Sequence, residues 1–365
     1  MTPPRLPFLR QPLRLIHDRI ATGLITAGGI GVLLAILAIG VFLIWETLPL
    51  LAFGDAFSLS TLSPLAWGTL KAALAAMLFA TPIALGAAMY SALFMSTRLR
   101  SRVKPILELM EAIPGVVVGF IAGLLLAPWV ERHLASTLLV IVWLPLSAAL
   151  AGGLWYLANA RLRQWLPLSW AGVWLMPWLA IMVTLALWLS PLMEQAWFGG
   201  DLRRLLDQQY GLDYATRNAL IVGIAMGFAV IPSIYSLAED ALADVPASLM
   251  EGAQALGASR WQALWKVALP TAGPGVFSAV MIGAGRAVGE TMIVLMVTGN
   301  TPISSWGLIE GLRALTANLA IELPEADVSS AHYQILFLTA AILFAFTFIV
   351  NTVAELVRKR MRLKG

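Results

Sequence analysis

Apolar residues run along most of this chain in long blocks that short polar segments separate. Eight blocks reach about 20 residues or more, the length that an α-helix needs to cross the hydrocarbon core of a bilayer. They lie near residues 20–45, 67–94, 106–128, 135–157, 168–191, 216–238, 272–298 and 332–356. The pattern predicts an all-α polytopic membrane protein with about eight transmembrane helices and both termini on one side.

The composition agrees with a protein dissolved mainly in lipid. Hydrophobic residues make up 59% of the chain and charged residues 12%, and the mean hydropathy is +0.83, outside the range of soluble domains. The absence of cysteine excludes disulfides and thiol nucleophiles. The three histidines (His17, His133 and His332) are too scattered for a metal site. The sequence contains no phosphate-binding loop of the G-x4-G-K-[ST] type, so we expect no ATP hydrolysis by this chain alone.

Basic residues indicate the orientation, because cytoplasmic loops collect Lys and Arg. Most of the 24 basic residues fall on one side of an eight-span topology. They are Arg5, Arg10, Arg14, Arg19, Arg98, Arg100, Arg102, Lys104, Arg161, Arg163, Arg260, Lys266, Arg358, Lys359, Arg360, Arg362 and Lys364. We therefore expect an N-in, C-in protein whose first block is a retained anchor rather than a cleaved signal peptide. Anionic headgroups explain the net charge of +4, and nucleic acid is not expected as a partner.

The polar segment 239–270, on the predicted cytoplasmic side, favours a short helix, a turn at Gly257 and a second short helix up to Pro270. One interpretation is an amphipathic pair lying in the membrane interface, with Trp261 and Trp265 as aromatic anchors. The other is an element that seats in a groove of a soluble partner and transmits its motion.

The block 272–298 carries two charges, Arg286 near its middle and Glu290 four residues later on the same helical face. A charge at bilayer depth costs at least roughly 2.5 to 3.5 kcal/mol. The pair could neutralise itself for insertion, although an Arg that precedes a Glu is the less favourable order within a helix. Alternatively, the guanidinium could bind an oxyanion through two hydrogen bonds. Gly283, Gly285 and Gly289 surround the pair and permit close helix approach, and Gly285 and Gly289 form a GxxxG motif.

Several segments carry a family resemblance. Glu251, Gly252, Ala253, Gly257, Val267, Leu269 and Pro270 match the EAA-loop spacing of ABC importer permeases, with Gly252 where that family has Ala. The segments GRAVGETMIVLMVTGN (285–300) and ELMEAIPGVVVGF (108–120) resemble signatures of phosphate-importer permeases, of the PstC type more than the PstA type. The segment 68–90 also fits. The resemblance covers roughly residues 67–128 and 216–300.

The resemblance implies a type I ABC importer (MetI-like) permease, a multi-pass protein of the bacterial inner membrane that imports inorganic phosphate by ATP-driven alternating access. It implies no cofactor, since a partner subunit binds ATP. The implied partners are two ATP-binding cassette subunits, a second, PstA-like permease subunit, a periplasmic phosphate-binding protein and membrane lipid. The implied ATPase-coupling residues are Asp244, Glu251, Gly252, Ala253, Gly257, Arg260, Leu269 and Pro270. The implied translocation path contains Arg286, Glu290 and Thr291.

We expect five regions along the chain. These are an anchor helix with an outer loop (1–66), the first part of the permease core (67–130), an inserted helical segment (131–215), the second part of the core with its loop 239–270 (216–356), and a basic tail (357–365). The insertion departs from the family, which has a single crossing there. Its many Trp residues suit lipid or subunit contact.

Three matters stay open at this stage. Arg286 fits sulfate, phosphonate or molybdate as well as phosphate, and an anion channel, a secondary transporter or a phosphate-sensing scaffold are alternatives to an importer. Lys71 is expected to snorkel to the outer interface, or else to attract anions at the mouth. Glu108 and Glu111 are expected to be solvated or paired with Arg102 or Lys104, with a gating role as the alternative.

Overall fold

The structure is a computed structural model that describes residues 11–50, 59–212, 214–328 and 330–362. Arg5, Arg10 and Lys364, which bear on the orientation, lie outside these ranges, as do parts of the predicted outer loop and tail. The described residues form helices and no β-strand, apart from one isolated bridge between Gly299 and Leu312. Within these described ranges, eight helices are long and apolar enough to cross a membrane, as the sequence predicts.

The helices follow one another in this order: α1 (Gln11–Thr47), α2 (Leu59–Leu93), α3 (Thr97–Glu111), α4 (Gly115–Ile121), α5 (Ala127–Arg132), α6 (Leu134–Leu157), α7 (Ala160–Trp165), α8 (Ala171–Phe198), α9 (Leu202–Tyr210), α10 (Ala219–Ala243), α11 (Ala247–Ala255), α12 (Arg260–Ala263), α13 (Leu269–Gly289), α14 (Met292–Val297), α15 (Leu315–Glu322) and α16 (Ala331–Arg362). The last helix therefore continues into the predicted basic tail.

The chain forms two compact units. The first comprises residues 1–57 and 326–344. Within it, Phe42 of α1 packs edge to face on Phe337 of α16, with ring centroids 5.8 Å apart. The second unit comprises residues 58–325 and 345–365, and it contains the candidate site.

Small residues let α2 and α10 pack closely at the centre of the second unit. Ala72, Ala76, Ala80, Ala84 and Ala88 recur at intervals of four along α2, and each is at most 2% exposed. On α10, a Cβ added at Gly223 would lie 3.1 Å from the Ala75 carbonyl oxygen, and one added at Gly227 would lie 2.8 Å from the Phe79 ring. Residues four apart lie on one helical face, so these stripes bring the two backbones together.

The GxxxG motif that the sequence analysis selected does not act in this way. A Cβ at Gly289 would meet nothing within 4 Å, and one at Gly285 would meet a side-chain oxygen of Asn351 at 3.1 Å. The glycines of α13 that lie against α10 are Gly275, next to Ala241, and Gly283, next to Ile234. Close packing thus involves a different face of the helix.

Two π-helical turns each lie directly before a proline. They span Ala122–Leu126 and Leu264–Ala268, and Pro128 and Pro270 follow two residues after their ends. Proline lacks an N–H and its ring clashes with the carbonyl four residues earlier, so a wider turn accommodates it without ending the helix. The helical runs Gly115–Arg132 and Arg260–Gly289 are consequently unbroken. The predicted helix end at Pro270 is wrong.

Two predicted spans are broken in the structure. The span near 106–128 divides between α3, which ends at Glu111, and α4, which begins at Gly115 after Pro114 as its N-cap. The span near 272–298 divides at Glu290, whose ψ of 126° is extended, between α13 and α14. The assumption that Arg286 and Glu290 lie one turn apart on a single helix is therefore wrong.

The inserted segment 131–215 forms α6 to α9. Helices α6 and α8 pack on each other, and the Ser136 hydroxyl donates a buried hydrogen bond of 2.8 Å to Ser190 between them. Trp165, Trp188 and Trp197 are 85%, 70% and 69% exposed. Exposed indoles suit the lipid or subunit contact proposed for this segment, and that role stays a prediction.

Candidate functional site

Arg286 forms an ion pair with Glu111 rather than with Glu290. Its Nη1 lies 2.6 Å from Glu111 Oε1, and the same guanidinium nitrogen donates to the Ser233 hydroxyl. Ser233 in turn donates to Glu111 Oε1 at 2.7 Å. One cluster therefore joins α3, α10 and α13. Glu111 is 43% exposed, in line with the expected solvation, but its partner is Arg286 and not Arg102 or Lys104.

The cluster lies near the middle of the membrane-spanning length of α10. At 1.5 Å per residue, Ser233 lies about 21 Å from the first residue of α10 and about 15 Å from its last. Ser233 is 5% exposed, whereas the Arg286 and Glu111 side chains are 35% and 43% exposed. The ion pair is therefore partly exposed on one side and backed by a buried hydroxyl on the other.

A cavity of about 490 Å³ lies next to Arg286, between α13 and the second half of α16. Ser278 and Gly285 line it from α13, and Asn351 and Arg358 line it from α16. Arg358 is itself paired with Glu355 at 2.6 Å. Arg286 can therefore be reached by a small hydrated anion.

Glu290 lies one residue beyond the end of α13 and serves the start of α14. Its Oε1 accepts hydrogen bonds from the backbone N–H groups of Met292 at 3.2 Å and Ile293 at 3.3 Å. Its backbone carbonyl accepts from the Thr316 hydroxyl at 3.0 Å. A carboxylate at this position stabilises free N–H groups and the positive end of the helix dipole. Glu290 thus holds the helix break in place, and Thr291 is the half-buried N-cap residue of α14.

Three glycines of the 108–120 segment and its continuation bring the two broken helices together. Gly115, Gly119 and Gly123 recur at intervals of four. An added Cβ would lie 3.0 Å from Glu290 Oε1, 3.0 Å from the Cα of Ile293 and 2.8 Å from the Met296 carbonyl oxygen, respectively. The segments 108–120 and 285–300 each carry a family signature, but neither signature by itself relates one segment to the other. The glycine spacing was a signal that their helices are in contact.

The polar loop forms the helix–turn–helix that the sequence predicts. Helix α11 buries none of its residues, and Gly257 turns the chain with a φ of +91°, a conformation that L-residues avoid. Ser259 and Gln262 then form a capping box that starts α12. The loop presents exposed apolar side chains, with Leu256 92%, Trp261 59% and Trp265 47% exposed.

The predicted coupling residues lie at both ends of this loop and on its first short helix, α11. Asp244 is the C-cap of α10, and Arg260 is the first residue of α12. Glu251, Gly252 and Ala253 lie on α11, while Leu269 and Pro270 begin α13. The run from Arg260 to Gly289 has 30 residues, about 45 Å at the α-helical rise. A single helical rod therefore joins the loop to Arg286.

A second charge cluster, which local sequence patterns do not reveal, holds α3 against the C-terminal end of α10. Glu239 is 0% exposed. It pairs with Arg100 and, at 2.9 Å, with Lys104, which also pairs with the exposed Asp240. The hydrogen bond to Asp240, opposed by partial burial and assisted by Glu239, raises the pKa of Lys104. From the sequence, Arg100 bears on topology alone and Lys104 is a possible partner of Glu108 or Glu111. The acid at the start of the loop, Glu239, was the signal for this cluster.

Lys71 does not snorkel. Its side chain is 2% exposed, and Nζ lies 4.0 Å from Glu310 Oε2 beneath the segment that follows α14. Glu310 also accepts from the Ser305 hydroxyl, and the Trp67 indole donates to the Ser305 carbonyl at 3.0 Å. The Lys71 ammonium is thus a buried charge beneath the segment that joins α14 to α15.

Comparison with known proteins identifies the family. Residues 80–363, most of the chain, match the family described as binding-protein-dependent transport system inner membrane component. The chain belongs to this family. It is therefore a transmembrane component of an ABC importer, located in the inner membrane, that works with an ATPase and a binding protein. It has no catalytic activity and no cofactor of its own, as the resemblance implies.

Individual relatives point in the same direction. The chain is 27% identical over 354 residues to a protein of Xylella fastidiosa (strain Temecula1) named phosphate transport system permease protein PstC, covering 93% of this chain and 90% of the relative. A PstC of Pasteurella multocida is 25% identical, over 81% and 74% of the two chains. A probable ABC transporter permease protein of Bacillus subtilis, YqgH, is 34% identical over 135 residues, covering 37% of this chain and 44% of the relative.

A solved structure supports the fold. The chain resembles the structure of a bacterial ABC transporter involved in the import of the acidic polysaccharide alginate, with a TM-score of 0.50 at 15% identity. The match covers 95% of this chain and 99% of the other. The all-helical permease fold is thereby established.

Proposed function

We propose that this permease imports inorganic phosphate. The observation that carries the proposal is Arg286, a guanidinium at mid-membrane depth that a cavity of about 490 Å³ makes accessible. Guanidinium groups bind phosphate through paired, charge-assisted hydrogen bonds. The relatives named as phosphate permeases align over most of the chain, which favours phosphate among the oxyanions that Arg286 fits.

In this proposal, Arg286 binds the anion, and Glu290 and Thr291 hold the break between α13 and α14 beside it. Discontinuous helices in transporters place backbone ends next to the substrate near the bilayer midplane. Glu290 fixes the break through its bonds to Met292 and Ile293. Phosphate passing Arg286 would thus meet a well-ordered backbone.

Coupling to ATP would run through the loop between α10 and α13. The exposed helix α11 and the apolar side chains of Leu256 and Trp261 suit a groove on an ATP-binding cassette subunit. We propose two such subunits and a second, PstA-like permease subunit, with a periplasmic phosphate-binding protein supplying affinity. Closure of the ATPases would move the rod Arg260–Gly289 and thereby Arg286, in an alternating-access cycle.

The test is uptake of labelled phosphate by the complete transporter in liposomes, with sulfate, molybdate and phosphonate as competitors. We expect ATP-dependent phosphate uptake that Arg286→Gln abolishes. Arg203→Gln is the matched control, because Arg203 also forms a partly exposed ion pair, with Glu131 at 3.2 Å. This control should leave uptake unchanged.

Three outcomes would refute parts of the proposal. Stronger uptake of another oxyanion would refute phosphate as the substrate. Anion conduction by the purified chain alone would indicate a channel or a secondary transporter. Full uptake by the Arg286→Gln variant would exclude Arg286 from the path, whereas a scaffold in phosphate sensing would give no uptake even in the unaltered protein.

A further inference from the structure

The carboxylate of Glu111 occupies the position on Arg286 that an incoming oxyanion needs. Glu111 Oε1 receives hydrogen bonds from Arg286 Nη1 at 2.6 Å and from the Ser233 hydroxyl at 2.7 Å. Carboxylate and phosphate oxygens accept from a guanidinium in the same geometry. We propose that Glu111 is a tethered substitute anion, which fills the Arg286 site when it is empty and is displaced by the substrate. This inference rests on the proposed oxyanion transport.

The Glu111–Arg286 pair joins α3 to α13, and the attachment of α3 to α10 does not depend on it. Arg100 and Lys104 of α3 already bind the fully buried Glu239 of α10. Lys104 lies seven residues before Glu111, or about 10 Å along α3. The ion pairs of Arg100 and Lys104 share a buried acceptor, Glu239, whereas Glu111 is 43% exposed. Partly exposed ion pairs contribute little to stability. Glu111 can thus exchange with another anion on Arg286 while the ion pairs of Glu239 keep α3 against α10.

The chain around Glu111 also permits the exchange. Glu111 is the last residue of α3, and Ala112 to Pro114 separate it from α4. These residues are exposed, so the side chain can swing away without breaking a helix. Arg286 also lines the cavity that Ser278 and Asn351 line, and Glu111 does not, so this cavity offers a route for the anion.

The exchange has a chemical purpose. An unpaired guanidinium at bilayer depth is costly and attracts any small anion. A tethered carboxylate satisfies the charge, and a weakly bound monoanion such as chloride would not displace it. A phosphate dianion with several acceptor oxygens can displace it and also take over the Ser233 hydroxyl. Glu111 would therefore act as a specificity-determining residue.

The experiment measures anion-dependent thermal stabilisation of the complete purified transporter without its binding protein. A ligand that binds the folded state stabilises it by RT ln(1 + [L]/Kd), so the rise of the apparent Tm with ligand concentration gives an apparent Kd. Removing a competitor raises the competent fraction of the site, so Glu111→Gln should lower the apparent Kd for phosphate by about tenfold. The Glu111→Gln variant should also gain stabilisation by chloride. Arg286→Gln should remove both effects in either background.

Glu108→Gln is the matched control, since Glu108 is an exposed acid one turn earlier on α3, and it should behave as the unaltered protein. Glu111→Asp is a second variant, whose shorter carboxylate reaches Arg286 less well and should give an intermediate phosphate response. Equal phosphate responses of Glu111→Gln and Glu108→Gln would overturn the proposal. A lower Tm of Glu111→Gln with no tighter anion binding would show that Glu111 stabilises the fold and does not compete with anions for Arg286.

The outcomes also separate this inference from the assignment of phosphate. If sulfate or molybdate stabilises Glu111→Gln more than phosphate does, the tethered anion is supported and the phosphate assignment fails. If no oxyanion stabilises Glu111→Gln more than it stabilises the unaltered protein, the tethered anion fails while phosphate uptake can still be observed.

Discussion

Gly115 and Glu290 face each other where the two broken helices meet. A Cβ on Gly115 would lie only 3.0 Å from Oε1 of Glu290, the oxygen that also accepts hydrogen bonds from the first N–H groups of α14. The glycine at the start of one helix thus leaves the space in which the carboxylate caps the other.

Gly115→Ala should therefore impair transport. The added methyl group forces the Glu290 carboxylate off the N–H groups of α14, and loss of a helix cap costs about 0.5–2 kcal/mol. We expect a lower Tm and reduced uptake. Gly86→Ala on α2 is the control, because a Cβ there meets nothing within 4 Å, and alanine should be neutral or slightly stabilising in that helix. Similar losses in both variants would contradict the role of Gly115.

Gly257 and Gly252 should respond in opposite ways to alanine. Gly257 has a φ of +91°, where an L-residue is strained by roughly 1–2 kcal/mol. Gly257→Ala should distort the turn and weaken co-purification with the ATPase subunits. Gly252 lies in α11 with open space around its Cα, so Gly252→Ala should stabilise the helix by up to about 1 kcal/mol and leave assembly intact. Equal assembly of both variants would argue against a coupling role for this turn.

The buried Glu239 should make Arg100 and Lys104 interdependent. Either basic residue alone leaves the carboxylate with a partner, so Arg100→Met and Lys104→Met should each cost little. The double variant should cost about 3–5 kcal/mol, because it leaves a buried charge unpaired, and a third change, Glu239→Gln, should recover much of this loss. Chemical unfolding in detergent measures the cycle. Additive single effects would show that the three residues are not coupled.

This cluster should also be insensitive to pH near neutrality. The pKa of Lys104 is raised in the folded protein by its bonds to Asp240 and Glu239. The stabilisation is therefore fully present below the unfolded lysine pKa of about 10.4 and is lost only as the pH rises through the folded pKa. In the Arg100→Met background, where Lys104 is the remaining basic partner of Glu239, the destabilisation caused by Lys104→Met should thus be equal at pH 6.5 and pH 8.5. A marked change between these values would contradict the ion-pair assignment.

Lys71 and Glu310 should behave as a coupled pair beneath the outer loop. Glu310→Gln keeps an acceptor for Ser305 but removes the negative charge 4.0 Å from the buried ammonium. We expect a lower Tm, since a buried cation without a counter-charge is costly. Lys71→Met in the same chain should restore much of the stability. If the double variant is as unstable as the sum of the two single variants, the pair contributes no coupling energy.

Much of the architecture follows from local sequence patterns. Apolar length predicts eight spans, because each helix must satisfy its own backbone within lipid. The turn at Gly257 follows from a residue that tolerates positive φ, and the family follows from motifs that are contiguous in the chain. The proposed coupling roles remain predictions, although the structure puts those residues on an exposed loop joined to α13.

The partner of Arg286 could not be found in this way. Helical periodicity pointed to Glu290, four residues away, but the chain breaks there because Glu290 caps the following helix. Glu111 lies 175 positions earlier in the chain than Arg286, and no local pattern relates residues at such a distance.

The sequence by itself determined the class of protein, the number of spans, the cytoplasmic loop and the presence of a charge at membrane depth, since each depends on residues close together in the chain. Only the tertiary structure decided which charges meet. The pairs of Glu111 with Arg286, Glu239 with Lys104 and Glu310 with Lys71 arise because the packing of helices brings residues that are distant in the chain within reach. Helix packing depends on which helix surfaces face each other, and the linear amino-acid sequence does not specify this.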